Sequence, residues 1–252
     1  MLPPKHAVQL LIFFLCAGVS FCSESHAQEG CSVEVKLLLS PMEAPPAKST
    51  LNFKKEVAGF VYFFDTDSLD LLAKGVILRL RRGAYSDLTI KLRPPEGKKF
   101  FASSGDRADF KCEEDFTGDG AQLSYSIRRK YTAEQLPESG GDITRLLSQG
   151  QKKLLKEAHI SIDWSRVKKV VEIKSTTWET HAQAQIRKLT LEVWEWPDGK
   201  LLEISTRVRP ADEQPAYAEL QKLANANGLS LSPIQGFKTN IVLESVTHAR
   251  AR

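Results

Sequence analysis

Charged and apolar residues alternate along several segments, and the charged positions are the ones that could do chemistry. Side chains two residues apart share a face of a strand, so Arg79 and Arg81 lie together, opposite Leu78 and Leu80. On a single strand such a face is ordinary solvated surface. Cations and carboxylates that line one shared lumen would instead suit a polyanion with a divalent metal, because cations neutralise phosphate oxygens and carboxylates supply hard oxygen ligands.

Seven segments carry this alternation, which favours a shared lumen over seven separate solvated faces. The predicted strands cover residues 32–40, 76–82, 87–93, 107–116, 167–178, 188–196 and 200–209. Helical patterns are fewer and cover residues 67–74, 142–157 and 215–227, while 41–56 and 94–106 are typical of loops. The fold class that follows is α+β, built around an antiparallel barrel or a strongly curved sheet with a few peripheral helices.

Composition excludes several classes of protein. The chain has 252 residues, 42% of them hydrophobic and 26% charged, with a net charge of +4. Disordered, collagenous and coiled-coil chains have other proportions. A net charge this small does not indicate a nucleic-acid partner. P-loop, GxGxxG, HExxH and GxSxG motifs do not occur in the sequence, and the histidines are isolated.

The first 27 residues have the layout of a secretory signal peptide. Lys5 and His6 precede an apolar run over residues 7–21, and Ser25-His26-Ala27 has the small-x-small pattern of a cleavage site. We therefore expect residues 1–27 to be removed and residues 28–252 to form a single domain. No second apolar stretch is long enough to span a bilayer. The mature protein is expected to be exported, either periplasmic or secreted, without a membrane partner.

Only two cysteines lie beyond the predicted cleavage position. Cys31 and Cys112 are each one residue out of phase with the charged set, which places both on the outer face of their strands. An oxidising compartment would allow them to pair if those two strands are neighbours. The sequence leaves that pairing open.

Five segments, in order, resemble the CYTH superfamily, also called the triphosphate tunnel metalloenzymes. Residues 32–36 (SVEVK) are similar to its ExExK opening strand, and 61–66 (VYFFDT) with 78–81 (LRLR) to its central stretch. The later matches are 88–91 (LTIK), 201–205 (LLEIS) and the lysine segment 236–239 (GFKT). Together the matches run over nearly the whole mature chain, and residues 65–91 are the most specific part.

The resemblance implies a barrel whose tunnel binds a small polyanion such as tripolyphosphate, with Mg²⁺ or Mn²⁺. Members of the family hydrolyse inorganic triphosphate, thiamine triphosphate or RNA 5′-triphosphate ends, or cyclise ATP. The implied phosphate-binding residues are Lys36, Arg79, Arg81, Lys91 and Lys238. The implied metal ligands are Glu34 and Glu203, followed by Glu192 and Glu113.

Two departures from the family pattern keep alternatives open. Ser32 and Ser205 stand where the family pattern has glutamates, so each acidic pair has lost one carboxylate. The leading hypothesis is an exported, metal-dependent triphosphatase. The alternatives are a non-catalytic polyanion-binding protein and a barrel used only for protein–protein interaction. Convergence of at least three of the four predicted carboxylates would favour the enzyme, and a lumen lined only by cations would favour the binder.

Overall fold

The structure is a computed structural model that describes residues 31–95, 100, 109–118, 120–136, 142–183 and 186–250. The predicted signal peptide and its cleavage position at Ala27 lie outside the described residues. In the described part of the chain, the strands are β1 (Ser32–Leu39), β2 (Lys55–Asp65), β3 (Val76–Gly83), β4 (Ser86–Leu92), β5 (Phe110–Thr117), β6 (Gly120–Tyr131), β7 (Lys168–Gln183), β8 (Ile186–Trp196) and β9 (Gly199–Val208). The helices are α1 (Ala44–Thr50), α2 (Asp70–Ala73), α3 (Gln149–Glu157), α4 (Glu213–Ala226) and α5 (Lys238–Arg250), with 3₁₀ turns at Pro41–Glu43, Ala133–Gln135, Ile143–Leu146 and Trp164–Arg166.

The nine described strands close into a barrel in the order β1-β5-β6-β4-β3-β2-β7-β8-β9. Neighbouring strands are antiparallel except for β1 and β5, which are parallel. The predicted α+β barrel is therefore confirmed, and the parallel pair is a difference in detail from the predicted antiparallel arrangement. It arises because the β5–β6 hairpin inserts between β1 and β4, so that β5 lies beside a strand distant from it in sequence.

Two apolar clusters on the outside of the barrel hold the helices against the strands. In the first, Val35 and Leu37 of β1 pack with Leu51 after α1 and Leu220 of α4. In the second, alternate residues of β3 and β4 pack against α2 and α3; its strand members are Leu78, Leu80, Leu88, Ile90 and Leu92. Since these apolar residues face outward, the polar residues between them face the lumen, as the alternation predicted.

A third apolar cluster lies inside one end of the barrel. Phe63 of β2 and Trp194 of β8 pack there against Val242, Leu243 and Val246 of α5. The C-terminal helix therefore covers one end of the lumen. The polar stretch of the lumen lies toward the other end, where the side chains of Arg81 and Arg207 are the more exposed ones.

Several predicted boundaries are wrong for identifiable reasons. The helix predicted over residues 142–157 is divided: a 3₁₀ turn ends before Ser148, whose side chain forms a capping box with Gln151 and begins α3 at Gln149. The predicted loop 41–56 contains α1, which carries Pro45 and Pro46 in its first turn. Strands β2 and β6 and helix α5 were not predicted. Strand β2 is covered on both faces, so its run of aromatic residues lacks alternation.

Candidate active site

Asp115 is the central carboxylate of the lumen, and the sequence analysis did not select it. Its side chain is fully buried, and its two oxygens each accept a hydrogen bond from a lysine. Lys36 Nζ lies 2.5 Å from Oδ1, and Lys91 Nζ lies 2.5 Å from Oδ2. The sequence does contain a signal for this residue, because Asp115 follows Lys111 and Glu113 at a spacing of two and therefore shares their strand face.

Burial and charge act in opposite directions on this group. Burial alone would raise the pKa of Asp115, but the ammonium groups of Lys36 and Lys91 hold it well below its usual range. The pKa of Lys36 is raised well above its ordinary value, because its neighbouring carboxylates outweigh burial. For Lys91, burial prevails and lowers the pKa. The three groups form one charged network across strands β1, β4 and β5.

Three carboxylates converge beside this network. One oxygen each of Glu34, Glu113 and Asp115 can be chosen so that all three lie within 4.8 Å of one another. The hydroxyl of Ser32, which pairs in register with Glu113, is buried and has no hydrogen-bond partner among the residues that the structure describes. An all-oxygen set with a spare hydroxyl beside it fits a hard divalent cation. We call Glu34, Glu113 and Asp115 the acidic cluster.

The other two predicted metal ligands lie in a separate group. Glu192 and Glu203 are register partners on β8 and β9, and both accept hydrogen bonds from Lys238, the first residue of α5. Trp194 donates from Nε1 to Glu192 at 2.7 Å, and its ring lies 4.6 Å below Lys238 Nζ. The structure therefore divides the four predicted carboxylates into two pairs, so the described residues do not show the expected convergence of at least three of these four. Asp115 joins Glu34 and Glu113 as the third member of their group.

Burial and hydrogen bonding shift the two glutamates of the Lys238 group in opposite directions. Burial alone would raise the pKa of Glu192, but Lys238, Trp194 and the hydroxyl of Ser175 hold it at about 2. For Glu203 burial dominates, and the pKa is raised. The charge of Lys238 is thus balanced chiefly by Glu192. In the family pattern this lysine is a phosphate-binding residue, but here it is bound to two carboxylates.

Arg79 differs from the other lumen cations because no ion pair compensates its charge. Within the described part of the chain it makes no salt bridge, and its buried Nε has no hydrogen-bond partner. Burial, reinforced by the neighbouring Arg81, lowers its pKa to about 10. The arginine remains charged at neutral pH. An incompletely compensated buried cation gains free energy when an anion reaches it.

Arg81 and Arg207 lie closer to solvent. Arg81 donates to Asp87 from Nε at 2.9 Å, and its side chain is 36% exposed. Arg207 lies 3.4 Å from both Glu34 and Glu113, and Lys111 donates to Glu113. All five predicted phosphate-binding cations therefore lie in the lumen, and within the described residues only Arg79 of the five makes no salt bridge there. Their binding of phosphate stays a prediction.

The two cysteines of the described chain form a disulfide bond. Cys31 and Cys112 directly precede the first register pair of β1 and β5, Ser32 with Glu113, and their Cα atoms are 4.7 Å apart. Cys112 packs against the outer apolar cluster, as its phase in the strand predicted. The pairing that the sequence left open is present because β1 and β5 are neighbours.

Comparisons with known proteins agree with this geometry at the level of the fold. A protein from Hippeastrum, described as a candidate adenylyl cyclase with a dominant triphosphatase activity, superposes with a TM-score of 0.60 at 18% identity, covering 84% of this chain and 94% of its own. A candidate adenylate cyclase from Bacillus halodurans gives 0.56 at 16% identity, covering 83% and 96%. No family model and no curated protein matches the sequence.

The chain thus shares its fold, a closed β-barrel with peripheral helices, with these two proteins, and a barrel is the fold that the resemblance of its motifs implied. In the part of the chain that the structure describes, none of the helices has the length and apolar character needed to cross a bilayer.

Proposed function

We propose that the tunnel binds a triphosphate-type anion, inorganic triphosphate or a short polyphosphate, and hydrolyses it with a divalent cation. The observation that carries the proposal is Arg79, a buried cation that faces the lumen and makes no salt bridge within the described part of the chain, so that the more distant carboxylates of Asp87, Glu192 and Glu113 compensate its charge only in part. Lys36 and Lys91 lie on adjoining parts of the same wall, where they can turn from Asp115 toward phosphate oxygens. The described triphosphatase activity of the Hippeastrum protein supports the same class of ligand.

The acidic cluster supports the catalytic part of the proposal. Glu34, Glu113 and Asp115 would hold Mg²⁺ or Mn²⁺. A bound ion of this kind polarises phosphoryl oxygens and lowers the pKa of a coordinated water. The chain itself would orient the phosphates through Arg79 and the lysines and stabilise the charge that develops during phosphoryl transfer.

The second candidate function is a non-catalytic polyanion-binding protein. Ser32 and Ser205 are observed where the family pattern carries glutamates, and Ser205 pairs in register with Lys36 instead of adding a carboxylate there. Glu192 and Glu203 are bound to Lys238. A protein of this kind would bind the anion with the same cations and release no phosphate.

We also propose that the protein acts outside the cytoplasm. Cys31 and Cys112, the two cysteines beyond the predicted cleavage position, are joined, and a stable disulfide is typical of oxidising compartments. A signal-peptide layout precedes them in the sequence. Expression with residues 1–27 intact, followed by fractionation and mass measurement of the mature chain, tests the export and the cleavage position.

Phosphate release from tripolyphosphate, with Mg²⁺ or Mn²⁺, separates the two functions. The enzyme predicts metal-dependent release that Glu113→Gln reduces at least tenfold, because the acidic cluster loses one charged ligand. Glu172→Gln is the matched control, since this glutamate pairs with Lys169 on the outer surface. If tripolyphosphate binds in the absence of metal but no phosphate is released with Mg²⁺ or with Mn²⁺, the result contradicts the enzyme and supports the binding protein.

A further inference from the structure

The disulfide lies at one end of the seam between β1 and β5, which is the only parallel strand pair among the described strands. Strands β1 and β5 pair from Ser32 with Glu113 to Val35 with Phe116. Cys31 and Cys112 come one residue earlier on each strand, and 81 residues separate them along the chain. Local connectivity therefore does not hold these strands in register, and the covalent bond adds a constraint to the backbone ladder between them.

The acidic cluster is divided across the same seam. Glu34 belongs to β1, whereas Glu113 and Asp115 belong to β5, and Glu34 is the register partner of Asp115. Any slip or separation between β1 and β5 moves one carboxylate away from the other two. The distances within the acidic cluster consequently depend on a pairing that ends at the disulfide.

The position of the bond allows it to act on the acidic cluster from outside the lumen. Ser32 and Glu113, which directly follow the cysteines, face the lumen, and the cysteines face away from it. Cys112 is partly exposed, whereas Cys31 is buried. By contrast, Arg79 lies on β3, which is not a neighbour of either strand of the seam.

We propose that the Cys31–Cys112 disulfide is a redox-sensitive positioning device for the acidic cluster. In the oxidised protein the seam is fixed and the three carboxylates can share one divalent cation. A small dithiol transfers two electrons and two protons to the bond, giving two cysteine thiols and the cyclic disulfide of the reductant. The seam then loosens and the affinity for the cation falls. This inference rests on the metal centre of the proposed function.

The test compares Mn²⁺ affinity by calorimetry in three samples. The first is the oxidised wild type, and the second is the wild type after reduction with a dithiol that is then removed under anaerobic conditions. The third is the double variant Cys31→Ser, Cys112→Ser. We expect Mn²⁺ to bind at least tenfold more weakly to the last two samples, and reoxidation to restore the wild type. Metal-free tripolyphosphate affinity should fall clearly less than Mn²⁺ affinity, because Arg79 and Lys91 lie on strands outside the seam. Amide hydrogen exchange should quicken at 32–35 and 113–116 before other strands.

The outcomes separate this inference from the proposed function. Equal Mn²⁺ affinity in all three samples overturns the positioning role and leaves the metal centre intact. Absence of Mn²⁺ binding to the oxidised wild type contradicts the metal centre itself, and the inference with it. A parallel loss of Mn²⁺ and tripolyphosphate binding on reduction would show that the bond merely holds the fold together, which also overturns a positioning role.

Discussion

Lys36 and Asp115 are bonded to each other in the centre of the lumen, 2.5 Å apart, on neighbouring parallel strands. In a complex with phosphate and a metal ion the two would have other partners, because the lysine suits a phosphate oxygen and the aspartate suits the metal cation. Their mutual pairing balances two opposite charges that the lumen buries. It also makes Asp115 important for stability as well as for the site.

Replacement of Asp115 with asparagine should destabilise the protein strongly. The change leaves the ammonium groups of Lys36 and Lys91 buried without their shared partner, which typically costs about 3–5 kcal/mol of unfolding free energy. Urea unfolding at pH 7 measures it. Asp212→Asn is the control, because the exposed pair of Asp212 with Arg209 should contribute less than about 1 kcal/mol. If Asp115→Asn lowers the unfolding free energy by no more than Asp212→Asn does, the Asp115 network adds no stability.

The Lys238 group should make stability depend on pH in the acid range. The pKa of Glu192 is held at about 2 in the folded protein, below its ordinary value, so its contribution is present above about pH 4.5 and lost as pH falls toward 2. The difference in unfolding free energy between wild type and Glu192→Gln should therefore shrink by about 3 kcal/mol between pH 5 and 2. Glu195→Gln, on the opposite face of the strand and paired with Lys200, is the control.

A difference between wild type and Glu192→Gln that stays constant from pH 5 to 2 would contradict this account of the Lys238 group. The same titration followed with Glu195→Gln should show only a small change, because that carboxylate is exposed and its ion pair is screened by solvent.

A carboxylate restored at position 32 should strengthen the metal centre. Ser32 is the register partner of Glu113, and its buried hydroxyl has no hydrogen-bond partner in the described part of the chain. Ser32→Glu therefore adds a fourth anionic ligand beside the acidic cluster. We expect Mn²⁺ affinity to rise roughly tenfold, or about 1.4 kcal/mol, and phosphate release to rise with it when combined with Ser205→Glu. A double variant that folds, binds Mn²⁺ more tightly and still releases no phosphate would favour the non-catalytic binder.

Removal of the disulfide should lower global stability as well as affect the site. The bond closes a loop of 81 residues, and loss of a native disulfide costs about 2–5 kcal/mol. Denaturant unfolding of the Cys31→Ser, Cys112→Ser variant at pH 7 measures the loss. An unchanged midpoint would show that the unfolded chain gains no freedom when the bond is absent.

The sequence was sufficient to predict the barrel and the direction in which the charged faces point. Alternation along 76–82 and 87–93 placed Arg79 and Lys91 opposite the leucines, and the structure confirms that placement. It could not predict which carboxylates meet, because a strand pattern gives the face and not the neighbouring strand. Glu34 meets Asp115 only because β5 inserts beside β1 in parallel.

The partners of Lys238 were unpredictable for a related reason. A motif assigns this lysine to phosphate, but its actual contacts depend on where α5 enters the barrel, and α5 itself was not predicted. The helix begins at Lys238 between Glu192 and Glu203, with its apolar residues packed on Phe63 and Trp194. The periodicity of a local segment carries no information about such packing between distant parts of the chain.

Calorimetric titration of tripolyphosphate without metal, at fixed salt, tests the central claim most directly. Arg79→Ala removes the lumen cation that makes no salt bridge within the described residues, whereas Arg82→Ala alters an outward position of the same strand. The account predicts that Arg79→Ala weakens binding by about 1.5–3 kcal/mol, the usual contribution of a hydrogen bond to a charged group, and that Arg82→Ala retains the wild-type affinity. Equal affinities in wild type and Arg79→Ala, or no binding to the wild type, would contradict the tunnel as the anion site.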